Sequence, residues 1–261
     1  YPDSSADPSI RGRLRPLMQQ ADRAIDWQRD DSATVLRKIR CADGFPGVRD
    51  RLCGRELFLY DAHPEGALRG RPGELIARRG DAICRATVDG AVWIGHLRDK
   101  QAEHVFKLPA TQLLGADVNA LPEVEPGAAG GYRDIWYEEA DDVGYLHFAF
   151  YNGAMGTAQC ERLLAAYRAA CARDTRVLVL MGGPDYWSNG MHLNRIEAAD
   201  SPADESWRNI NAIDDLAREI IETDSHLTVA ALQGNAGAGG VFLARAADEV
   251  WARDGVILNP H

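Results

Sequence analysis

Residues His226 to Asp248, HLTVAALQGNAGAGGVFLARAAD, constrain this chain more than any other stretch. An apolar, β-branched run through Leu227, Val229 and Leu232 reads as a buried strand. It crosses Gly234, Gly237, Gly239 and Gly240 and continues as Val241-Phe242-Leu243-Ala244, whose composition favours a buried helix. Strand, glycine-rich turn and helix aim unpaired backbone N–H groups at one point, an arrangement suited to a developing negative charge. Two nucleotide-binding readings fail. Counted from Gly237 and Gly239, the sixth position of a dinucleotide fingerprint is Phe242, and no Lys follows Lys107 to complete a phosphate loop. A plainer alternative stands beside the anion site: a close strand–helix contact that needs small residues.

A second stretch, Arg176 to Glu197, repeats the design. Val177-Leu178-Val179-Leu180 is another buried strand, followed by Gly182-Gly183-Pro184 and then WSNGMHLNRIE from Trp187. It too delivers the chain to a small-residue turn, Ser188-Asn189-Gly190, and a helix start. Two strand-to-turn units, each offering a backbone donor, are what a two-donor oxyanion hole requires. These two segments resemble the signature stretches of the crotonase (enoyl-CoA hydratase/isomerase) superfamily, and the resemblance runs from about Tyr132 to His261. It implies that the N–H groups of Met191 and Gly239 polarise the carbonyl of an acyl-CoA thioester. It also implies that Gly190, His192, Gly240 and Phe242 lie against the bound coenzyme.

The resemblance carries a departure. The family's hydratases place one Glu three residues after the oxyanion glycine, where this chain has Phe242, and a second after a Pro, where Pro260 is followed by His261. Hydration needs groups that position water and move a proton. Phe242 moves none but lines and dries a pocket. His261, whose imidazole can accept or donate a proton, stands as a catalytic candidate, with a pocket hydrogen-bonding role as its alternative. His192 faces either the coenzyme or solvent, and Asp185, Glu197 and Asp248 read as solvated or capping charges.

The first half is a different molecule in composition. Up to Gly115 it holds 19 Lys and Arg against 16 Asp and Glu; beyond, the balance is 10 against 23, so the basic surplus belongs to the first half alone. Those basic residues are interleaved with acids, which argues against nucleic-acid binding. Leu14 to Ile25 is a helical candidate, and Asp31-Ser32 cap a short helix carrying Ala33, Leu36 and Ile39. Glu56–Tyr60, Gly73–Arg78 and Ala82–Val88 read as strands, with Asp89-Gly90 turning a hairpin into Val92-Trp93-Ile94. Short strands so close together predict a small barrel of the OB type. Arg23 to Gly115 resembles the C-terminal domain of the methionyl-tRNA formyltransferase-like family. That family's catalytic Asn, His and Asp lie in an N-terminal formyl-tetrahydrofolate domain with no counterpart here. His63, His96 and His104 have no motif around them and read as surface or satisfied core residues.

The predicted fold class is therefore α+β and α/β: a small OB-like β-barrel followed by the N-terminal part of a crotonase-like ββα spiral. Residues 1–30 read as the tail of an upstream domain, 31–115 as the barrel, 116–131 as a Pro- and Gly-rich linker, and 132–261 as the crotonase-like domain. Within that domain a strand pair precedes the helix Thr157–Arg173, and a second amphipathic helix carries Trp207, Ile210, Ile213 and Ile220. Five widely spaced cysteines without a C-x-x-C pair argue against a disulfide framework and a zinc site and fit buried hydrophobes in a reducing cytoplasm; no apolar run reaches membrane-span length.

The order barrel, linker, crotonase-like domain with Phe and His at the hydratase positions resembles the HypX-type hydrogenase maturation factor family. That implies transfer of a formyl group from formyl-tetrahydrofolate, bound upstream, to coenzyme A. It further implies decomposition of formyl-CoA to carbon monoxide for a NiFe site, with other maturation proteins as partners. An acyl-CoA hydratase, isomerase or thioesterase is the enzyme alternative; a non-catalytic binding fragment is the other.

Overall fold

The computed structural model describes residues 15–103, 105–125 and 131–261, so His104 and part of the expected linker lie outside the described residues. Helix α1 (Ser32–Arg40) starts where expected, because the Asp31 carboxylate accepts the Thr34 N–H at 2.8 Å. Its buried Val35 and Ile39, one turn apart, press on the barrel strands. In the expected helix Leu14–Ile25, the described part holds only a 3-10 turn, Ala21–Arg23. Asp22 takes the Gln19 N–H, a local bond that competes with helix propagation.

Five antiparallel strands follow: β1 (Val48–Leu52), β2 (Arg55–Glu65), β3 (Leu75–Arg79), β4 (Ala82–Ala86) and β5 (Ala91–Asp99). They run in the order β1-β2-β5-β4-β3, and β6 (Leu108–Pro109) pairs with the far part of β5 before α2 (Ala110–Leu114). The hairpin between β4 and β5 spans four residues rather than the expected two. Thr87 Oγ1 accepts the Gly90 N–H, and Asp89 turns away to hold the Ser32 amide at the start of α1. A side-chain tie crosses the sheet from its edge strand to an interior one: Asp50 on β1 pairs with Arg85 on β4 and accepts the Trp27 indole N–H at 2.8 Å. The guanidinium lies 4.0 Å over the Trp27 ring. Residues 116–125, read from the sequence as linker, pack on the barrel instead. Val118 is buried, Leu121 leans on the core, and Glu123 pairs with Arg78.

The second unit winds as a spiral. Its main sheet has the order β15-β13-β10-β8-β7, built from β7 (Ile135–Ala140), β8 (Val143–Phe148), β10 (Val177–Met181), β13 (Leu227–Leu232) and β15 (Glu249–Ala252). All its pairings are parallel except the β7–β8 hairpin. Past its end, each parallel strand supplies short strands at a second level: β9 (Ala154–Met155), β11 (Tyr186–Ser188), β12 (Gly190–Met191), β14 (Asn235–Gly237) and β16 (Leu258–Asn259). Here β11, β14 and β16 pair in order, and β9 pairs with β12. Helices α3 (Thr157–Cys171), α4 (Leu193–Glu197), α5 (Pro202–Ile221) and α6 (Gly239–Arg245) complete the repeats. Phe148, Tyr167, Leu180, Trp187, Leu216 and Leu243 form the centre of its core. Cys84 and Cys160 are buried as expected, whereas Cys41 and Cys53 are exposed and Cys171 is half-buried, so the cysteines are not uniformly core residues. Among the described residues no helix is long and apolar enough to cross a membrane.

Polar contacts fasten the two units. Arg195 on α4 pairs with Asp81 of the barrel, and the Lys107 ammonium donates to Tyr151 Oη at 2.9 Å. His192, just before α4, is buried at this seam and accepts the Arg195 N–H on Nδ1. Burial first, then the Arg195 and His96 charges, push its imidazole down to about 3.

Two predictions follow from these contacts. Asp50→Ala leaves the Arg85 cation buried without its partner and is expected to cost about 3 kcal/mol in urea unfolding; an unchanged midpoint would contradict the cross-tie. Between pH 6.5 and about 3 the unfolded His192 binds a proton that the folded one refuses, so its contribution is present above 6.5 and lost on acidification. His192→Asn, which retains a helix-capping acceptor, should flatten the fall in stability across that window, as measured by denaturant titration at stepped pH.

Candidate functional site

Strands β10 and β13 are neighbours in the main sheet, so the turns beyond them meet. After β10 the chain reaches Ser188, whose Oγ accepts the Gly190 N–H at 3.1 Å, and Gly190 takes a left-handed φ of 71°. After β13 it reaches Ala238, also left-handed with φ 44°, which caps α6. Gly190 lies flat on the second turn: a Cβ there would stand 2.8 Å from Gly239 N and 2.9 Å from Gly239 Cα. A Cβ on Gly240 would collide with the Ser188 carbonyl oxygen. Both glycines are small because two backbones touch, so the plainer reading of this motif holds for them.

Gly239 differs. A Cβ on it would meet only Gly190 Cα, at 3.4 Å, and as the first residue of α6 its N–H has no acceptor within the helix. Gly239, Met191 and Phe242 line one cavity of about 320 Å3, with Leu193, Ile210 and Ile213 as apolar walls. Of the seven residues singled out in the sequence, these three are brought together. Phe242 is 65% exposed, so α6 is not a fully buried helix; Leu243 and Ala244 turn to the core and leave the ring at the cavity. Gly190 and Gly240 sit behind the cavity as packing residues. His192 is buried at the seam, which rules out its facing bulk solvent; it does not line this cavity but the neighbouring one that shares Met191. His261 is exposed and bonded through its N–H to Asn259, away from the cavity lining, so the structure does not bring it to the other candidates.

Sequence reasoning missed Asp214, the one ionisable side chain among the described residues lining this cavity. The signal was available: Asp214 directly follows Ile213 on α5, exposed at the edge of the inward stripe Asn209, Ile213, Leu216 and Ile220, and reaches the cavity from that edge. Asp248 caps no helix but ties the start of β15 to β13, accepting both the Thr228 N–H and hydroxyl at 2.8 Å, with its carboxyl lowered by those bonds.

A second cavity, about 220 Å3, opens between the units and is lined by His96, Lys107, Tyr151, His192, Asn189 and Met191. A third, about 550 Å3, includes Asp61, His63 and Tyr151 in its wall. His63 and His96, read from the sequence as unremarked histidines, both bond to Asp61, at 2.6 and 3.0 Å. Burial pushes the Asp61 carboxyl up, but the two imidazole hydrogen bonds overcome it and hold the group well below the usual carboxylate range. Burial also lowers the Lys107 ammonium and raises the Tyr151 phenol.

Residues 17–108 match the family model described as "Formyl transferase, C-terminal domain". Over 260 residues the chain is 59% identical to the hydrogenase maturation factor HoxX of Bradyrhizobium diazoefficiens, covering the whole chain but 45% of that relative. A methionyl-tRNA formyltransferase of Acidiphilium cryptum is 37% identical over 78 residues, 28% of this chain and 25% of its own. The crystal structure of HypX from Aquifex aeolicus in complex with tetrahydrofolic acid superposes with a TM-score of 0.90 at 50% identity. It covers 95% of this chain and 44% of its own. The chain thus spans less than half the length of these two maturation factors. It is a homologue of the HypX/HoxX-type hydrogenase maturation factors, carrying a formyl transferase C-terminal domain joined to a spiral unit of parallel strands and helices.

Proposed function

We propose that the crotonase-like unit binds a coenzyme A thioester with its carbonyl oxygen against the Met191 and Gly239 amides. The observation that carries this reading is the convergence of the two turns, backbone on backbone, at a cavity lined by both residues. Two N–H donors on one oxygen stabilise the charge that develops there, and an apolar surround strengthens them. The substrate proposed is formyl-CoA, made by transfer of a formyl group from formyl-tetrahydrofolate to coenzyme A in the full-length protein. Its decomposition supplies carbon monoxide to a NiFe site. Support comes from the homology to maturation factors and from the apolar Phe242, Leu193, Ile210 and Ile213 walls, which favour loss of carbon monoxide over attack by water. The second reading, hydration or hydrolysis of an acyl-CoA, is favoured by one observation, the Asp214 carboxylate at the cavity wall.

A full-length HypX-type protein carrying this segment is expected to release carbon monoxide from formyl-tetrahydrofolate and coenzyme A, captured by a reduced haem protein. Crotonyl-CoA hydration measured in parallel should stay at background. Rapid hydration without carbon monoxide would transfer the assignment to the second reading, and neither activity would leave a binding module. The glycines separate fold from chemistry. Gly239→Ala, whose methyl group the surrounding backbone admits, should leave the unfolding midpoint nearly unchanged while depressing thioester turnover at least tenfold. Gly240→Ala should cost about 1–3 kcal/mol in stability, because its methyl group overlaps a backbone carbonyl. Equal stability losses, or full turnover by Gly239→Ala, would contradict these roles.

A further inference from the structure

The seam between the units holds a built acid–base cluster that the oxyanion site does not use. Asp61 lies within β2 yet adopts a left-handed φ of 58°, a strained conformation for a non-glycine residue. Its carboxylate occupies the space where a Cβ of Gly95 would stand, so β5 accommodates it only because residue 95 has no side chain. One oxygen bonds His63 Nε2 at 2.6 Å and the other His96 Nδ1 at 3.0 Å, while the Asp61 N–H donates to Asp43. The His96 ring is nearly fully buried, stacked 4.3 Å from Tyr151 and parallel to His192 at 6.4 Å. Strain, a glycine cradle and two imidazoles on one carboxylate are more than the barrel needs for stability.

The geometry also selects a tautomer. The Asp61 carboxylate engages His96 through Nδ1 and fixes the ring's orientation, so Nε2 is the ring nitrogen turned away from Asp61, the atom through which an oriented imidazole exchanges a proton. His96 lines the 220 Å3 cavity, and that cavity shares Asn189, Met191 and Leu193 with the one at Gly239. The other groups around the ring are engaged by their own partners. Tyr151 is a neutral phenol, His192 is neutral, and Lys107 donates to Tyr151 Oη and the Asp43 and Gly44 carbonyls. Arg195, on α4, is tied to Asp81, and His63 faces the far cavity.

We propose that His96, oriented by Asp61, is the acid–base residue for the thioester held at the Met191 and Gly239 turns. The inference rests on the formyl-CoA reading. Nε2 takes the formyl proton, the C–H electron pair becomes the carbon lone pair of carbon monoxide, and the C–S bond breaks toward sulfur. The new Nε2–H then returns its proton to the thiolate. Formyl-CoA becomes carbon monoxide and coenzyme A with no added reductant or water. His96 is a catalytic residue in this scheme, and Asp61 a positioning residue acting through it.

The test supplies formyl-CoA directly to the full-length protein and follows carbon monoxide release from pH 5 to 9. His96→Gln should lower kcat about 100-fold or more, in the range of lost acid–base catalysis, and erase the acidic limb of the profile. Coenzyme A affinity by calorimetry should stay within twofold. Asp61→Asn should lower kcat less and displace that limb, a change that loss of packing alone does not produce. Wild-type turnover by a folded His96→Gln would overturn the role of His96 while leaving the thioester reading intact. No carbon monoxide from the wild type would remove the reading beneath it. Should either variant fail to fold, 15N spectra of the wild-type protein titrated with coenzyme A decide. Movement of the His96 Nε2 resonance supports the proposal, and an unmoved one contradicts it.

Discussion

Backbone contact between Gly190 and Gly239 is the constraint on which the second unit turns. Parallel pairing of β10 with β13 sets two chain reversals side by side, but side chains of ordinary size would hold them apart. Three residues carry the solution, each differently. Gly190 presents its bare Cα, Gly240 clears the Ser188 carbonyl, and Gly239 stands first in α6 with open space before it. The close contact made by the first two is what brings Met191 and Gly239 to one cavity. A packing requirement and a chemical one are met by the same short motif, which is why glycine spacing alone does not separate them.

The barrel contributes more than a scaffold. Its strands β1 and β4 are tied by Asp50 and Arg85 with Trp27, and it meets the spiral through charged and aromatic groups: Asp81 with Arg195, Lys107 with Tyr151, His96 stacked on Tyr151. Polar groups buried at such a seam are costly unless each is partnered, and here partners come from both units: Arg195 and Tyr151 across the seam, Asp61 for His96 within the barrel. The neutral state of His192 depends on that burial, so the seam is itself sensitive to acid.

Local signals in the sequence carried the elements well. The Asp31 cap, the strand-and-turn units at 177–191 and 227–240, and the inward stripe of α5 all describe contacts within a few residues. Distant contacts were opaque. Nothing near Asp61 in the chain shows that β2 and β5 pair so as to set His63 and His96 on one carboxylate, because that arrangement depends on register between strands 35 residues apart. The Asp89 carboxylate serves both its own hairpin, at Thr87, and the distant Ser32, and the segment after Gly115 packs through Val118 and Leu121 on the barrel core. His261 was assigned by position in a motif, and a motif transfers only where the fold carries the residue to the same place. Phe242 did arrive there, on the exposed side of α6.

The central claim is that Met191 and Gly239 jointly polarise a thioester carbonyl. Infrared difference spectroscopy with a 13C-carbonyl acetyl-CoA bound to the full-length protein measures this directly. Two backbone donors on one oxygen should move the labelled carbonyl stretch to lower frequency than in water, and Gly239→Ala should reverse part of that shift. A stretch at or above the aqueous frequency, from a thioester shown by calorimetry to be bound, would contradict the account.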